Sequence, residues 1–514
     1  MGDDTGGFSN LARLIERRPG AVFSAFLALH AVVWTWLPAS IFFNPFMDVI
    51  EGLAYGREWQ LGYDKLPPLP WWLIEIVHQI FGRDLFFYAL SQLVVVAAFA
   101  CVWAMARPLA GAAGALVAVL LLDGLNYFHF TAVKFNHDVV QLPLWALAGS
   151  MYWLALRRGR LIHWVLLGAA LGGALWAKYF VVVLALPLVL FILLDRDARQ
   201  SLATPGPYVA LAVALLVACP HLVWLVQHRF SPLQYAEVKW EPYREPIDHL
   251  YYPAKFALYQ LWYLVPLFAI AAPLLYPAGQ KVRIGADSFD RRIVTLLAFG
   301  PAAALLSISL LSGRGPLPMW GYPLWLFLGL WCVLVPAAAL DRVRLRRVVA
   351  TWMVVFVGYA VAFVLDYRVI PLFFHESHAR NQGLFPGARL GMEISKRYRS
   401  LTGQPLTYVI GSVWIGGNVA HFAPERPRLL VNMDSRRQPW IDRKDLRAKG
   451  AVIVWTDNDR NDDLSGDTRV LPPLARVVAP DAQVQEPFTL PFQRGQAVLN
   501  VGWAILRPQP AADR

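Results

Sequence analysis

The protein has 514 residues, of which 57% are hydrophobic and only 16% are charged. A soluble protein of this length carries more charge, so the composition excludes a soluble globular enzyme and predicts an integral membrane protein. The net charge of +12 would suit nucleic-acid binding in a soluble chain. Here the basic residues cluster beside apolar segments, where they orient membrane helices, so we expect membrane lipids and no nucleic acid as partners.

Apolar segments recur from residue 20 to residue 366, and each is close to the length that crosses about 30 Å of hydrocarbon as a helix. They lie near residues 20–43, 84–106, 108–122, 139–156, 161–178, 179–194, 206–226, 254–276, 293–311, 318–339 and 348–365. The sequence therefore predicts an α-helical polytopic membrane protein with about 11 transmembrane helices over residues 1–366. An odd number places the two termini on opposite sides of the membrane.

Arginine clusters give the orientation of these helices. They comprise Arg13, Arg17 and Arg18, then Arg157, Arg158 and Arg160, then Arg291 and Arg292, and finally Arg342, Arg344, Arg346 and Arg347. All fall on one side when the predicted helices alternate, and the positive-inside rule makes that side cytoplasmic. We therefore expect a cytoplasmic N-terminus, with residues 43–73, the segment around Asp138, residues 227–253, the segment around Arg314 and everything after residue 366 outside.

The composition changes after residue 366. Charges and prolines become frequent, and the apolar strings LTYVIG (406–411), RLLVNM (428–433) and AVIVWT (451–456) alternate with helix-like segments such as residues 441–450. This alternation predicts a small external α/β domain over residues 367–514 that acts as a cover or binds a partner. The three cysteines lie in predicted membrane helices, so we expect no disulfide framework in this domain.

Acidic residues follow the first predicted membrane helix directly, in the segment FNPFMDVIEGLAYGREWQLGYDKLPPLPWWL (43–73). If the segment is helical from Pro45, Asp48 and Glu51 lie three apart and share one helix face. Asp48 stands among apolar neighbours near the end of a membrane helix, where an ionised carboxylate is costly without a partner or a role.

The same segment continues through Tyr63, Asp64 and Lys65 to two prolines, a step that forms a turn. The ordinary interpretation of Glu58 and Asp64 is that they are solvated loop acids, because charged side chains are mostly exposed.

A second polar group stands at the external mouth of the fourth predicted membrane helix. It comprises Lys134, Asn136, His137 and Asp138 in the segment AVKFNHDVVQLPLWAL (132–147). We interpret these residues as a second wall of the same site. His137 beside Asp138 is half of a metal site at most, so the sequence leaves metal binding undecided.

Lys178 interrupts a long apolar stretch at an external turn. Such a lysine either extends its ammonium group to the interface or neutralises an anion. Other basic residues also lie outside, against the positive-inside trend: Lys65, Arg229, Lys239, Arg244 and Arg314. This surplus of external cations favours a phosphate at the membrane face.

Several motifs together resemble glycosyltransferase family 39, which includes the protein O-mannosyltransferases and the lipid A aminoarabinose transferase. They are the acid Asp48, GYDKLPPL (62–69), FNHDVVQLPLW (135–145), GAALGGALWAKY (168–179) and PHLVWLV (220–226). In the C-terminal part, WID (440–442) and GAVIVW (450–455) are similar to the bacterial members. The resemblance implies the GT-C fold, an external active site and a polyprenyl-phosphate sugar as donor.

By position, the resemblance implies that Asp48 is the general base, that Asp138 is a second external acid and that Lys178 with Tyr179 forms the lysine-tyrosine element. We add Glu51 to the catalytic set, because Val49 stands where many members have a second acid. Leu66 replaces the usual histidine before the two prolines. The predicted donor-phosphate ligands are Lys65, Lys178, Tyr179, Arg244 and Arg314, and the predicted acceptor-side residues are Tyr63, Asp64, Asn136 and His137.

The sequence thus predicts an inverting hexosyl- or pentosyltransferase of the bacterial inner membrane, acting on lipid A or another envelope glycolipid at the periplasmic face. A divalent cation is an alternative to these cations for neutralising the phosphate. A protein acceptor is the first alternative. A transporter or flippase for a lipid-linked anion is the second, but it would place charges at the centres of its helices, which are nearly free of charge here. Mannose, a pentose, an amino sugar and a uronic acid all stay open as the sugar.

Overall fold

The computed structural model describes residues 14–15, 17–275, 285–335, 340–370, 382–457, 464–493 and 497–509. The structure is mostly helical. Its helices are α1 Pro19–Ile41, α2 Met47–Gly56, α3 Leu69–Phe81, α4 Leu85–Leu122, α5 His137–Arg158, α6 Leu161–Ala177, α7 Val182–Leu194, α8 Arg196–Arg199, α9 Gly206–Gln227, α10 Ser231–Lys239, α11 Asp248–Leu275, α12 Ser288–Ser312, α13 Leu328–Leu334, α14 Arg342–Val364, α15 Gly387–Thr402, α16 Ile415–Phe422, α17 Arg443–Lys449 and α18 Pro473–Val478.

Seven of these helices are long and apolar enough to cross a membrane: α1, α4, α5, α9, α11, α12 and α14. An eighth span is obtained if the helical pair Tyr179–Leu194 and Arg196–Ala203, which is bent by 88°, is counted as one. These counts refer to the described part of the chain. The prediction of a polytopic helical membrane protein is confirmed.

The predicted number of about 11 membrane helices exceeds the seven or eight in the described structure because some apolar segments do not form separate long helices. Two predicted helices, 84–106 and 108–122, lie in the single element α4, which is interrupted by non-helical backbone at Gly111. The segment 161–178 forms a helix of only 17 residues, and 318–339 contains only a 3₁₀ turn and the seven-residue α13 among its described residues. Hydropathy identifies apolar segments, but it does not show how far each one continues as a straight helix.

The described residues form two compact units that are interleaved along the chain. The membrane unit contains residues up to Trp36, Lys65–Pro67 and Tyr88–Ala362. The second unit contains Leu37–Asp64, Pro68–Phe87 and the chain from Phe363 onward. The predicted division at residue 366 stays a prediction, and the second unit includes α2 and α3, which follow α1 in the chain.

Small residues bring α6 and α9 together in the membrane unit. A Cβ atom at Gly168 would lie 2.3 Å from the carbonyl oxygen of Ala210, and one at Gly172 would lie 2.8 Å from that of Ala214. The Gly-x-x-x-Gly spacing therefore lets the two backbones approach closely, which is how membrane helices gain packing energy without a hydrophobic driving force. This contact fixes the C-terminal end of α6, where Lys178 follows.

A six-stranded sheet forms the centre of the second unit, in the order β2-β1-β3-β6-β4 with β5 also paired to β6. The strands are β1 Tyr408–Gly411, β2 Arg428–Val431, β3 Ala451–Thr456, β4 Gln483–Val484, β5 Phe488–Pro491 and β6 Val498–Leu506. β1 is parallel to β2 and β3, whereas β3 and β6 are antiparallel. Asp442 caps α17, and Gly450 (φ 76°) follows this helix. The helix lies within the helix-like segment 441–450, and the small α/β domain is confirmed.

Candidate active site

An ion pair joins the two polar segments of the membrane unit. Asn136 caps α5 by accepting hydrogen bonds from the backbone amides of Asp138 and Val139, at 3.0 and 3.2 Å. Lys178 follows α6 in an extended conformation. Its Nζ atom donates to Oδ1 of Asp138 at 2.6 Å. The cap therefore holds the carboxylate in the first turn of α5, where the helix dipole also favours a negative charge.

Both members of this pair are withdrawn from solvent, with side-chain exposures of 13% for Lys178 and 3% for Asp138. The same carboxylate oxygen accepts a hydrogen bond from Nε2 of Gln141 at 3.1 Å. The Lys178 ammonium also lies 5.7 Å from the ring centroids of Phe180 and Trp320. A cation among aromatic faces in a poorly hydrated place interacts strongly with an anion, so Lys178 is a suitable ligand for a phosphate.

His137 is buried at the start of α5, and its Nε2 atom lies 3.0 Å from the carbonyl oxygen of Pro67. That contact ties α5 to the short Lys65–Pro67 segment. Across the described residues, no group of three or more histidine, cysteine, aspartate or glutamate side chains is arranged to hold a metal ion. His137 and Asn136 thus have structural contacts in the membrane unit, and their predicted role toward the acceptor stays a prediction.

Tyr179 belongs to a 3₁₀ turn that follows Lys178, and its hydroxyl lies 2.9 Å from Nε2 of His221 in α9. The His221 side chain is fully buried. This contact fixes the turn that carries Lys178. His221 is not among the predicted site residues, although a histidine inside the apolar segment PHLVWLV is a sequence signal for a functional or structural contact.

The other predicted phosphate ligands lie nearer to solvent. Lys65 and Lys239 both approach the ring of Tyr235, with their Nζ atoms 5.7 and 5.1 Å from its centroid. Arg314 pairs with Glu237 at 3.2 Å. Arg244 is exposed. The structure thus brings Lys65 and Lys239 to the same aromatic side chain, Tyr235 of α10. Lys178 is instead largely buried and is paired with Asp138.

A buried histidine–aspartate contact of the membrane unit is not among the predicted site residues. Nδ1 of His30 lies 2.8 Å from Oδ1 of Asp123, and both side chains are fully buried. Nε1 of Trp352 donates to the other oxygen of Asp123 at 2.7 Å. Asp123 interrupts the apolar run VAVLLLDGL, so the sequence contained a signal. The pair joins α1, α14 and the end of α4, and we assign it a structural role.

Asp48 lies in the first turn of α2, and Glu51 lies one turn later, as their spacing predicts. Glu51 is buried, with 8% of its surface exposed, while Asp48 is partly exposed. Tyr63 is fully buried and donates to the carbonyl oxygen of Tyr55 at 2.8 Å. The Tyr63 side chain therefore supports the end of α2, and its predicted contact with an acceptor stays a prediction.

Arginines from the C-terminal part of the second unit bind acids in the segment around α2 and α3. The pairs are Glu58 with Arg428 at 3.0 Å, Asp64 with Arg437 at 2.7 Å and Glu75 with Arg426 at 3.1 Å. The interpretation of Glu58 and Asp64 as solvated acids is therefore wrong.

The acids of this segment change the pKa of Arg437. Burial disfavours the charge of Arg437, but the carboxylate of Asp64, together with Tyr55 and Glu51, outweighs burial and raises the pKa of the guanidinium above its usual value. Arg437 therefore stays charged, and it links Asp64 to the surroundings of Glu51.

Comparisons with known proteins bear on the family resemblance and on the fold. The protein family described as dolichyl-phosphate-mannose-protein mannosyltransferase matches residues 65–224. The lipopolysaccharide core galacturonosyltransferase RgtA of Rhizobium johnstonii is 24% identical over 459 residues, which cover 85% of this chain and 86% of RgtA. The lipid A galacturonosyltransferase RgtD of the same organism is 26% identical over 199 residues, 37% of this chain and 41% of RgtD.

Solved structures of ArnT from Cupriavidus metallidurans share the fold. The structure bound to undecaprenyl phosphate has a TM-score of 0.61 at 13% identity and covers 96% of this chain and all of the ArnT chain (100%). The apo structure has a TM-score of 0.58 at 14% identity, with coverages of 96% and 99%. Together these findings confirm the resemblance to glycosyltransferase family 39, and the chain is a multi-span membrane glycosyltransferase with the GT-C fold.

Proposed function

We propose that this protein transfers a sugar from a polyprenyl-phosphate donor to lipid A or the lipopolysaccharide core, at the periplasmic face of the bacterial inner membrane. Two observations support the substrates. RgtA and RgtD are named for transfer to the lipopolysaccharide core and to lipid A. The ArnT structure that shares the fold was solved with undecaprenyl phosphate.

The ion pair of Lys178 with Asp138 is the observation that carries the proposal. A lysine ammonium has three N–H donors, and Asp138 accepts one of them at 2.6 Å. The carboxylate holds the ammonium in place, and the remaining donors are available to phosphate oxygens. Lys178 thus stabilises the charge that develops on the polyprenyl phosphate as it leaves. Asp138 acts as its positioning residue, because its carboxylate oxygen holds the ammonium at 2.6 Å.

Asp48 is the proposed general base. It takes the proton from the acceptor hydroxyl while the acceptor oxygen forms a bond to the anomeric carbon and the bond from that carbon to the phosphate oxygen breaks. The products are polyprenyl phosphate and a glycoside of inverted configuration. A positioned base contributes about 10² to 10⁴ in rate. Glu51 supports Asp48 from the next turn of α2, which is a role we propose from their shared helix face.

We propose a uronic acid as the sugar. Both curated relatives are named as galacturonosyltransferases. The other cations of the membrane unit also favour an anionic sugar, since Lys65 and Lys239 both lie against the ring of Tyr235. A carboxylate on the sugar would find complementary charge there.

The test is transfer from a panel of radiolabelled polyprenyl-phosphate sugars to purified lipid A and lipopolysaccharide, with and without EDTA. The panel contains mannose, a pentose, an amino sugar and galacturonic acid, and the variants are Asp48→Asn and the matched control Glu486→Gln, an exposed acid. We expect labelled glycolipid with the uronic acid donor, loss of transfer in Asp48→Asn and normal transfer in the control. Loss of transfer in EDTA would show that a divalent cation, in addition to Lys178, neutralises the charge of the phosphate.

Other results would overturn parts of the proposal. Labelled protein in place of labelled glycolipid would make the acceptor a protein hydroxyl. Activity of Asp48→Asn within a few-fold of the wild type would remove Asp48 from the role of base. Saturable donor binding without transfer, unchanged in Asp48→Asn, would favour a transporter of the lipid-linked anion.

A further inference from the structure

The helix that carries Asp48 begins without a cap of its own. Phe46 stands at the N-cap position of α2 and offers no side-chain oxygen to the amides of the first turn. The first N–H groups of a helix lack partners within the helix and need acceptors from elsewhere. Here the backbone amide of Met47 donates to Oε1 of Gln382 at 3.3 Å. Gln382 lies 335 residues further along the chain, in the same compact unit.

Neighbours of Gln382 reinforce this contact. The backbone amide of Phe43 donates to the carbonyl oxygen of Gly383 at 2.7 Å, just before α2. α16 packs closely against α2 at Gly417, where an added Cβ would lie 2.7 Å from Cγ2 of Ile50. The approach to α2 and its buried face are therefore both fixed by residues from the C-terminal part of the second unit.

The other end of α2 is held in the same way. Arg57, which follows the helix, donates from Nη1 to the carbonyl oxygen of Pro427 at 3.2 Å. Glu58 then pairs with Arg428. α2 is thus held at both ends, and at its N-terminal end the capping side chain is Gln382.

We propose that Gln382 is a positioning residue for catalysis: by capping the first turn of α2 it fixes the direction of Asp48, the residue next to the capped amide. This inference rests on the proposed role of Asp48 as general base. A base must lie within hydrogen-bond reach of the proton it takes, and a displacement of about 1 Å costs roughly 10²-fold in rate. Loss of the cap lets the first turn fray, so Asp48 loses its orientation while the fold and the donor site are kept.

The test compares Gln382→Ala, which removes the acceptor, with Gln382→Glu, which keeps a side-chain oxygen at the same reach. Gln404→Ala is the matched control, since Gln404 is exposed in the turn after α15. We expect kcat to fall by about 10-fold or more in Gln382→Ala with the donor KM within about twofold of the wild type. Gln382→Glu should recover most of kcat. Hydrogen exchange in a peptide covering residues 43–52 should be faster in Gln382→Ala alone.

The outcomes separate this inference from the proposed function. If Asp48→Asn abolishes transfer and Gln382→Ala keeps a wild-type kcat, the positioning role is wrong and the base assignment stands. If Asp48→Asn keeps its activity, Asp48 is not the general base, and the positioning role of Gln382, which depends on that assignment, is wrong as well. A Gln382→Ala protein with lower kcat, unchanged hydrogen exchange and no recovery in Gln382→Glu would also contradict a capping role.

Discussion

Replacing Lys178 with methionine should cost both stability and transfer, and the two losses can be separated. The variant keeps the length of the side chain but removes the charge that pairs with Asp138 at 2.6 Å. The carboxylate, 3% exposed, then keeps only neutral donors such as Gln141 among the contacts described for it. Removing one member of a buried ion pair typically costs about 3–5 kcal/mol, because the other charge stays buried without compensation.

The double variant Lys178→Met/Asp138→Asn removes both charges. Replacing a buried pair by uncharged groups of similar size is often close to neutral, so its free energy of unfolding should return to within about 1–2 kcal/mol of the wild type. Transfer should not return, since the ammonium group that we propose as the ligand of the donor phosphate is absent. Lys255→Met is the matched control. Its partner Glu241 lies at 2.8 Å, but each side chain is 31% exposed, so we expect a loss of about 1 kcal/mol or less.

The assay is chemical denaturation of the purified protein in detergent micelles, beside initial rates of transfer measured on the same preparations. Transfer by Lys178→Met within a few-fold of the wild type would refute the assignment of Lys178 to the donor phosphate. Equal stability losses in the single and double variants would show that the unpaired carboxylate is not the cause of the destabilisation.

Three further predictions concern other parts of the chain. Gly168→Ala should destabilise the membrane unit by about 1–3 kcal/mol, because the new Cβ would meet the carbonyl oxygen of Ala210 at 2.3 Å, whereas Gly173→Ala, with its nearest neighbour at 3.4 Å, should fold normally. Tyr179→Phe should lower transfer several-fold and stability by about 1–3 kcal/mol, since its buried histidine partner loses a hydrogen bond. Burial, helped by neighbouring cations, lowers the pKa of His78 to about 4 from 6.5. As the pH is lowered from about 6.5 to about 4, the unfolded chain binds a proton at His78 before the folded chain does, so the free energy of unfolding should decrease. The decrease should be smaller in His78→Gln, as measured by denaturation across that pH range.

The sequence was sufficient for features that depend on local pattern. The strands around Ile410 and Ile453 and the capped helix after Asp442 appear where alternation and turn residues place them. Asp48 and Glu51 share a helix because their spacing requires it once the segment is helical. Hydropathy also identified every apolar segment that the long membrane helices occupy.

Contacts between residues far apart in the sequence could not be predicted from local pattern. Lys178 and Asp138 were both candidates, but their contact at 2.6 Å joins positions 40 residues apart. The arginine partners of the loop acids lie still further away, with Arg428 370 residues from Glu58. An arginine in a polar segment has no local feature that distinguishes a buried ion pair from a solvated side chain. Its partner is set by the tertiary fold.

The interleaving of the second unit has a consequence for biosynthesis. α2 and α3 leave the ribosome early, but Gln382, Arg426, Arg428 and Arg437, which cap α2 and neutralise the acids of this segment, follow more than 300 residues later. Until the last part of the chain has been translated and moved to the same side, the segment bearing Asp48 lacks the partners that order it. A chain interrupted before that point would contain every membrane helix of the described structure, but the segment that carries the proposed base would lack these contacts, so we expect such an incomplete chain to be inactive in transfer.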